Sequence, residues 1–291
     1  MRNDSIIGVV VVYNPNIEKL IDNVNCYIQN IDKLLLWQNS SITNEDKKKI
    51  IDECSCSEKI VFSGNGSNRG LDVAFNEALE VASKEKYIYL MTMDQDSTWL
   101  EFDKYLSTIA SVKNDRIAIF GPQVINAFDV VDYKHKECSI ETADFVISSG
   151  AIYKVNIISL IGGFSEGYFI DAVDEEICFR AKKRGFETVR VNTAKLLQEF
   201  GTYKKRSVFG RTIASSNYSA FRYYYIVRNH IWLAKSGLLD KQQRRLTLRN
   251  YVFSLSVKVL LLEENKVRKI ISIIKGIGAG FFSKPKERII R

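Results

Sequence analysis

Residues 6–12 read Ile-Ile-Gly-Val-Val-Val-Val and run into Tyr13-Asn14-Pro15. A strand apolar at every position, not at alternate ones, has to be covered on both faces, which is the situation inside a parallel sheet. The Asn-Pro step then stops it. Helical periodicity follows over about 16–30 (Ile17, Leu20, Ile21, Val24, Tyr27, Ile28), then a strand at Lys33–Trp37. A third strand is expected at Ile60-Val61-Phe62. A helix over Gly70–Ala82 presents Leu71, Ala74, Phe75, Ala78 and Leu79 on one face, and a fourth strand occupies Tyr87–Met93. Strand and helix alternating at this spacing predict an α/β chain built on a doubly wound, mainly parallel sheet.

The fourth strand ends in Asp94-Gln95-Asp96-Ser97. Ligands of such sheets collect at the carboxyl ends of the strands. Two carboxylates one residue apart on that turn can face a single hard cation, which would keep waters and bind substrate phosphates. The plainer alternative is an acidic turn with Ser97 capping the next helix. One strand earlier, Ser67-Asn68-Arg69-Gly70-Leu71 opens a helix that carries Asn76 about two turns in. Glycine there permits close backbone approach, and Asn and Arg side chains suit a base, ribose or phosphate. The same residues also make an ordinary turn.

Farther on, Gly162–Arg180 contains Asp171-Ala172-Val173-Asp174-Glu175-Glu176-Ile177, and a basic run Lys182-Lys183-Arg184 precedes Gly185. This predicts a helix finishing at Gly185, with Asp171 as its N-cap and Asp174 in its first turn. A carboxylate in that turn is held as the anion by the helix dipole, the state a general base requires. Alternatively both aspartates only cap, and Glu176 pairs with Arg180.

Composition narrows the remaining classes. Five cysteines are scattered through 291 residues, among them Cys54-Ser55-Cys56, and the two histidines lack ligand spacing. Reduced thiols are expected, and zinc chemistry is not. The apolar run near the N-terminus is too short for a signal peptide, and the best candidate span, Tyr251–Leu262, contains Lys258. Charge is uneven. Residues 241–291 hold 13 Lys and Arg against 3 acidic residues, a net of +10, so residues 1–240 carry −2 of the total +8. With Val252, Leu255, Val259, Leu260 and Leu262, then Val267, Ile270, Ile271, Ile273, Ile274 and Ile277, this tail reads as basic amphipathic helix, either a surface for anionic lipid or a solvated pair packed on the rest. No nucleic-acid reader module is present.

Together the valine-rich first strand, Asn68-Arg69-Gly70 with Ala74 and Asn76, Asp94-Gln95-Asp96, Gly150-Ala151 and the Asp174 helix resemble glycosyltransferase family 2. Within it, Asp-Gln-Asp-Ser and Arg222-Tyr-Tyr-Tyr-Ile-Val-Arg-Asn229 are similar to bacterial rhamnosyltransferases. The resemblance spans roughly residues 6–232. It implies a GT-A-like doubly wound sheet over 1–238, with the nucleotide-sugar half at about 1–97 and the acceptor half at 98–238, and a helical, basic appendage at 239–291. It further implies inverting transfer of a sugar, rhamnose from dTDP-rhamnose being favoured over a UDP-sugar, to a saccharide or lipid-linked saccharide acceptor in surface polysaccharide synthesis.

By position, the resemblance places Tyr13, Asn14, Asn39, Asn68, Arg69, Asn76 and Asp94 at the nucleotide. It places Asp96, with Asp94, at a divalent cation (Mg or Mn), Asp174 as the catalytic base, and Gln198, Arg206 and Arg228 at the diphosphate or acceptor. Three positions depart from the family pattern: Gln38-Asn39 stands where Asp-Asn is usual, Val173 where Glu is frequent, and Gln198 where many members carry His. They keep open an inactive sugar-nucleotide-binding or scaffold subunit. A sugar-phosphate nucleotidyltransferase is a further alternative, disfavoured because Tyr13-Asn14-Pro15 stands where its phosphate loop belongs. The expected setting is cytoplasmic, peripheral on the inner face of the plasma membrane through 241–291, with a homodimer compatible and nucleic acid excluded.

Overall fold

A computed structural model describes residues 5–126, 139–198, 204–208 and 211–286. The chain divides into two compact units: Met1–Phe164 with Ile177–Glu199, and Ser165–Glu176 with Phe200–Glu287.

In the first unit the elements are β1 (Ile6–Val12), α1 (Ile17–Asn25), β2 (Lys33–Gln38), α2 (Asn44–Glu53), β3 (Ile60–Ser63), α3 (Leu71–Lys84), β4 (Tyr89–Asp94), β5 (Thr98–Trp99), α4 (Phe102–Ser111), β6 (Ile117–Asn126), β7 (Ile140–Thr142), β8 (Ala151–Lys154), α5 (Val155–Leu160) and β9 (Glu187–Gln198). Helix α6 (Val173–Lys183) leads into β9. The strands form one nine-stranded sheet in the order β3-β2-β1-β4-β8-β6-β9-β5, with β7 also on β9. Its first four strands are parallel, as is the β6–β9 pair, while β8 runs antiparallel to both neighbours. Every residue of β1 is buried, as its unbroken apolar run requires. Helix starts follow local chemistry: Asn16 and Thr43 accept the N–H of Lys19 and Asp46 and so cap α1 and α2.

The expected elements are present, and the differences are informative. Tyr87 and Ile88 precede β4, which starts at Tyr89. Residues 127–138 lie outside the described residues, and just after them β7 adds to the sheet on β9.

The second unit contains the hairpin β10 (Lys204–Val208) and β11 (Arg211–Ser215), then α7 (Ala220–Lys235), α8 (Lys241–Leu248), a π-helical turn at Arg249–Ser254, α9 (Leu255–Leu262) and α10 (Lys266–Phe282). Tyr223, Ile226, Val227 and Ile231 of α7 form a core with Val259 and Ile273. Helix α10 approaches α7 through Gly276 and Gly280. A Cβ there would lie 2.7 Å from the Tyr224 carbonyl oxygen and 2.7 Å from Ile231 Cβ, so only glycine permits the contact. Glu263 is fully enclosed, accepting from Ser215 and Tyr223 hydroxyls and from Lys269 Nζ at 2.7 Å; Lys269 also reaches Asn217 at 2.6 Å.

Candidate active site

The carboxyl ends of β1, β2 and β4 carry a continuous hydrogen-bond network. Parallel pairing sets Val11 opposite Asp94 and Val12 opposite Gln38. Just beyond, the Tyr13 N–H donates to Gln95 Oε1 at 2.8 Å, and Gln95 Nε2 returns a bond to the Tyr13 carbonyl at 3.1 Å. Asn23 donates to the Gln95 carbonyl at 3.0 Å and accepts from the Thr98 hydroxyl at 2.6 Å. Ser149 Oγ donates to buried Ser97 at 2.8 Å, so the turn bearing Asp94 and Asp96 is held on three sides. A rigid turn of this kind fixes where two carboxylates point.

The nucleotide-side residues divide by what their side chains do. Tyr13 is half exposed, and Asn14, with φ 45°, donates its N–H to Ser40 Oγ at 2.7 Å. Asn39 is buried; its Oδ1 accepts from Trp37 Nε1 and the Arg69 N–H, and its amide donates to the Gly70 carbonyl. It thus ties the end of β2 to the 68–70 turn. Asn68 Oδ1 accepts the Gly70 N–H, and the Arg69 side chain lies 3.9 Å from Glu77 and stays half exposed. Asn76 is buried and exchanges two bonds with the Phe164 backbone, at 2.8 and 2.9 Å. Asn39 and Asn76 are therefore engaged with the chain itself, shaping the wall rather than presenting free amides.

Gln198 stands beside Asp94. Its Nε2 donates to Asp94 Oδ2 at 2.8 Å, while its Oε1 is buried without a partner among the described residues. A buried carbonyl oxygen left unsatisfied is costly and calls for an occupant. Carboxylate and amide oxygens, the donors that Asp94, Asp96 and Gln198 carry, are of the hard type that Mg²⁺ or Mn²⁺ takes. Among the described residues no three His, Cys, Asp or Glu side chains gather as a ready-made metal group. The residues present fit a hard divalent cation.

In the second unit, α6 begins at Val173, and Asp174 Oδ1 accepts the Glu175 N–H at 3.0 Å. Asp171, expected as the cap, instead pairs with Arg222 through two bonds of 3.0 Å. Arg180, the partner that the alternative reading gave to Glu176, donates to the Ile161 and Gly163 carbonyls at 2.6 and 2.7 Å, within the first unit. Arg228 donates to the Gly167 and Tyr168 carbonyls and lies 4.0 Å over the Trp232 ring. The side chain of Arg206, on β10, lies outside the described residues.

No family model matches the chain. A curated relative, the dTDP-rhamnosyl transferase RfbF of Shigella flexneri, is 27% identical over 94% of this chain and 96% of its own length. Among solved structures, the mannosyltransferase PcManGT from Pyrobaculum calidifontis, in complex with GDP-Man and Mn²⁺, matches with a TM-score of 0.60 and 10% identity. That match covers 95% of this chain and 87% of the other. S. aureus TarS 1-349 with UDP-GlcNAc gives 0.59 at 12% identity, over 94% and 81%. The fold is that of the GT-A glycosyltransferases.

As expected from the resemblance, the chain is similar to a rhamnosyltransferase, and it shares its fold with glycosyltransferases solved with nucleotide sugars. Sequence reading missed Asn23, Gln95 and Ser149, which brace the Asp94–Asp96 turn. Only Gln95, lying between the two aspartates, carried a local signal. It also left His230 without a role. No helix among the described residues is long and apolar enough to cross a membrane.

Proposed function

We propose that the protein transfers rhamnose from dTDP-rhamnose, with inversion, to a hydroxyl of a saccharide acceptor. The observation that carries this reading is the resemblance to a dTDP-rhamnosyl transferase along nearly the whole of both chains. The strand-end network supports it. Tyr13, Asn14, Asn68 and Arg69 bind the nucleotide, on a wall held by Asn39 and Asn76. Asp94, Asp96 and the Gln198 amide oxygen would hold a Mg²⁺ or Mn²⁺ ion, which, when bound, neutralises charge on the donor diphosphate. Asp174, kept anionic in the first turn of α6, takes the proton of the acceptor hydroxyl. That oxygen forms its bond to the anomeric carbon as the carbon–oxygen bond to the diphosphate breaks, and the diphosphate leaves with the electron pair. Arg206 and Arg228 belong to the diphosphate and acceptor side.

The acceptor is a lipid-linked saccharide, met at the cytoplasmic face of a membrane. Helix α10 supports this: between Lys266 and Phe282 it has no acidic residue, and Val267, Ile271, Ile274, Phe281 and Phe282 are exposed. They recur at i, i+4, i+7, i+14 and i+15, opposite the face carrying Ile273, Gly276 and Gly280. An apolar stripe with basic flanks is the pattern of an interfacial helix on anionic lipid.

The test is a thermal-shift panel of dTDP, UDP, GDP and CMP, each with and without Mn²⁺ or Mg²⁺. A ligand that binds only the native state raises the midpoint. A cation-dependent shift with dTDP is expected. A shift confined to UDP or GDP would discard the sugar, and no shift with any would overturn the donor site.

A further inference from the structure

The segment leading into Asp174 has unusual backbone. Phe169, Asp171 and Ala172 stand at φ 65°, 63° and 60°, close after Gly167 at 96°. Three non-glycine residues in the left-handed region within four positions persist only where their surroundings over-determine them. Here the surroundings are one side of α7. Arg222 holds the Asp171 carboxylate with both nitrogens. Arg228 reaches the Gly167 and Tyr168 carbonyls, and Asn229 Nδ2 lies 2.7, 2.7 and 2.9 Å from the carbonyls of Tyr168, Ile170 and Asp171. Asn229 is fully buried.

His230, the next residue, grips the helix that follows. Its Nε2 is 3.1 Å from Glu175 Oε1 and its Nδ1 2.6 Å from the Ile226 carbonyl. Both partners can only accept, so the ring carries both protons and is a cation. Tyr251 donates to the same Glu175 oxygen at 3.2 Å, and its ring stacks on the imidazole with centroids 3.4 Å apart. Burial opposes the charged forms of both Glu175 and His230. Their mutual attraction and hydrogen bonds outweigh it, holding His230 above its ordinary range and Glu175 below. Successive helical residues project about 100° apart, so anchoring Glu175 fixes the rotation of the first turn and with it the direction of Asp174.

We propose that Asn229 and His230, with Tyr251, are positioning residues for the transfer step: they clamp the turn before α6 and Glu175 within it, and so aim the Asp174 carboxylate. The proposal rests on Asp174 being the base. A base displaced by about 1 Å can lose on the order of 100-fold in rate while substrate binding is untouched.

The test compares His230→Gln, Tyr251→Phe and Asp174→Asn in steady-state kinetics and donor binding. His230→Gln should lower kcat about 10- to 100-fold and Tyr251→Phe about 3- to 10-fold, with the donor KM within about twofold of wild type. The charged and titratable groups around the imidazole are Glu175, Tyr251, Asp171 and, next along α6, Asp174. Removing the imidazolium leaves Glu175 anionic beside Asp174, so the acidic limb of the kcat/KM profile should move to higher pH in His230→Gln. It should return in the double variant Glu175→Gln/His230→Gln. A lowered melting point with kcat and limb unchanged would overturn the clamp. If His230→Gln does not fold, Tyr251→Phe decides, and wild-type kcat there overturns it. Inactive Asp174→Asn beside a fully active His230→Gln defeats the clamp alone. An active Asp174→Asn defeats the base reading and the clamp with it.

Discussion

Gln198 is where this chain makes a different residue serve. Imidazole would offer a cation one nitrogen; under the proposed function the amide would offer an oxygen, while its NH₂ donates to Asp94. Gln198→Ala should therefore raise the Mn²⁺ concentration needed for half-maximal activity by about 10-fold, measured by titration at saturating donor. Asp96→Ala should abolish the cation-dependent shift with dTDP, while Asp174→Asn should keep it and lose transfer by about 10³-fold or more. Equal loss of donor binding in the two would sink the division of roles. Glu263 is a structural counterpart. Its charge sits fully enclosed against Lys269, so Glu263→Gln leaves a buried cation poorly compensated and should cost about 3–5 kcal/mol in denaturant unfolding.

At the scale of elements, α7 joins two tasks in one helix. Its apolar side takes α10 at glycine-limited distance, and its polar side holds the 167–175 segment. Gly280→Ala should push α10 away and destabilise the protein by about 1–3 kcal/mol, read from the shift in urea midpoint. The His230–Glu175 pair sets a pH dependence. A raised histidine contributes in full below its ordinary 6.5 and loses the contribution as pH rises through the folded value. A lowered carboxylate contributes in full above 4.5 and loses it as pH falls through its folded value. The excess stability of wild type over His230→Gln should thus be greatest between about pH 4.5 and 6.5 and shrink toward alkaline pH, as melting curves across that range would reveal.

For the whole molecule, the uneven charge is the prominent feature: +10 lies in residues 241–291 against −2 before them. On α10 that charge flanks exposed Val267, Ile271, Ile274, Phe281 and Phe282, Phe282 being 93% exposed. Burying one such side chain contributes about 1.5–3 kcal/mol when complete, and basic residues near an anionic surface add about 1 kcal/mol each. The protein should sediment with vesicles of 70% phosphatidylcholine and 30% phosphatidylglycerol, and weakly with phosphatidylcholine alone. The double substitution Ile271→Gln/Ile274→Gln should cut the bound fraction about fivefold or more. Equal sedimentation of variant and wild type would remove α10 from the interface, and a shift in oligomer size instead would assign the stripe to a second copy.

The sequence determined what local periodicity and local chemistry can carry. The unbroken apolar run at Ile6–Val12 demands cover on both faces, and the alternation after it leaves a doubly wound sheet as the arrangement that supplies it. Asp94 and Asp96 were legible because both lie on one strand-end turn, and Asp174 because a helix start announces itself within a few residues. What only the tertiary structure decided was partnership across long separations. Asn39 and Asn76 look like ligand amides in sequence, yet folding engages one with residues 37, 69 and 70 and the other with Phe164. Asp171 reads as a cap until Arg222, 51 residues on, takes its carboxylate. His230 has no ligand spacing because its partners, Glu175 and Tyr251, lie on other segments of the chain. The isoleucines of α10 are alike in composition, and packing on α7 alone sorts Ile273 inward and Ile271 and Ile274 outward. Periodicity specifies which residues share a face; which face is covered, and by what, is a property of the folded chain.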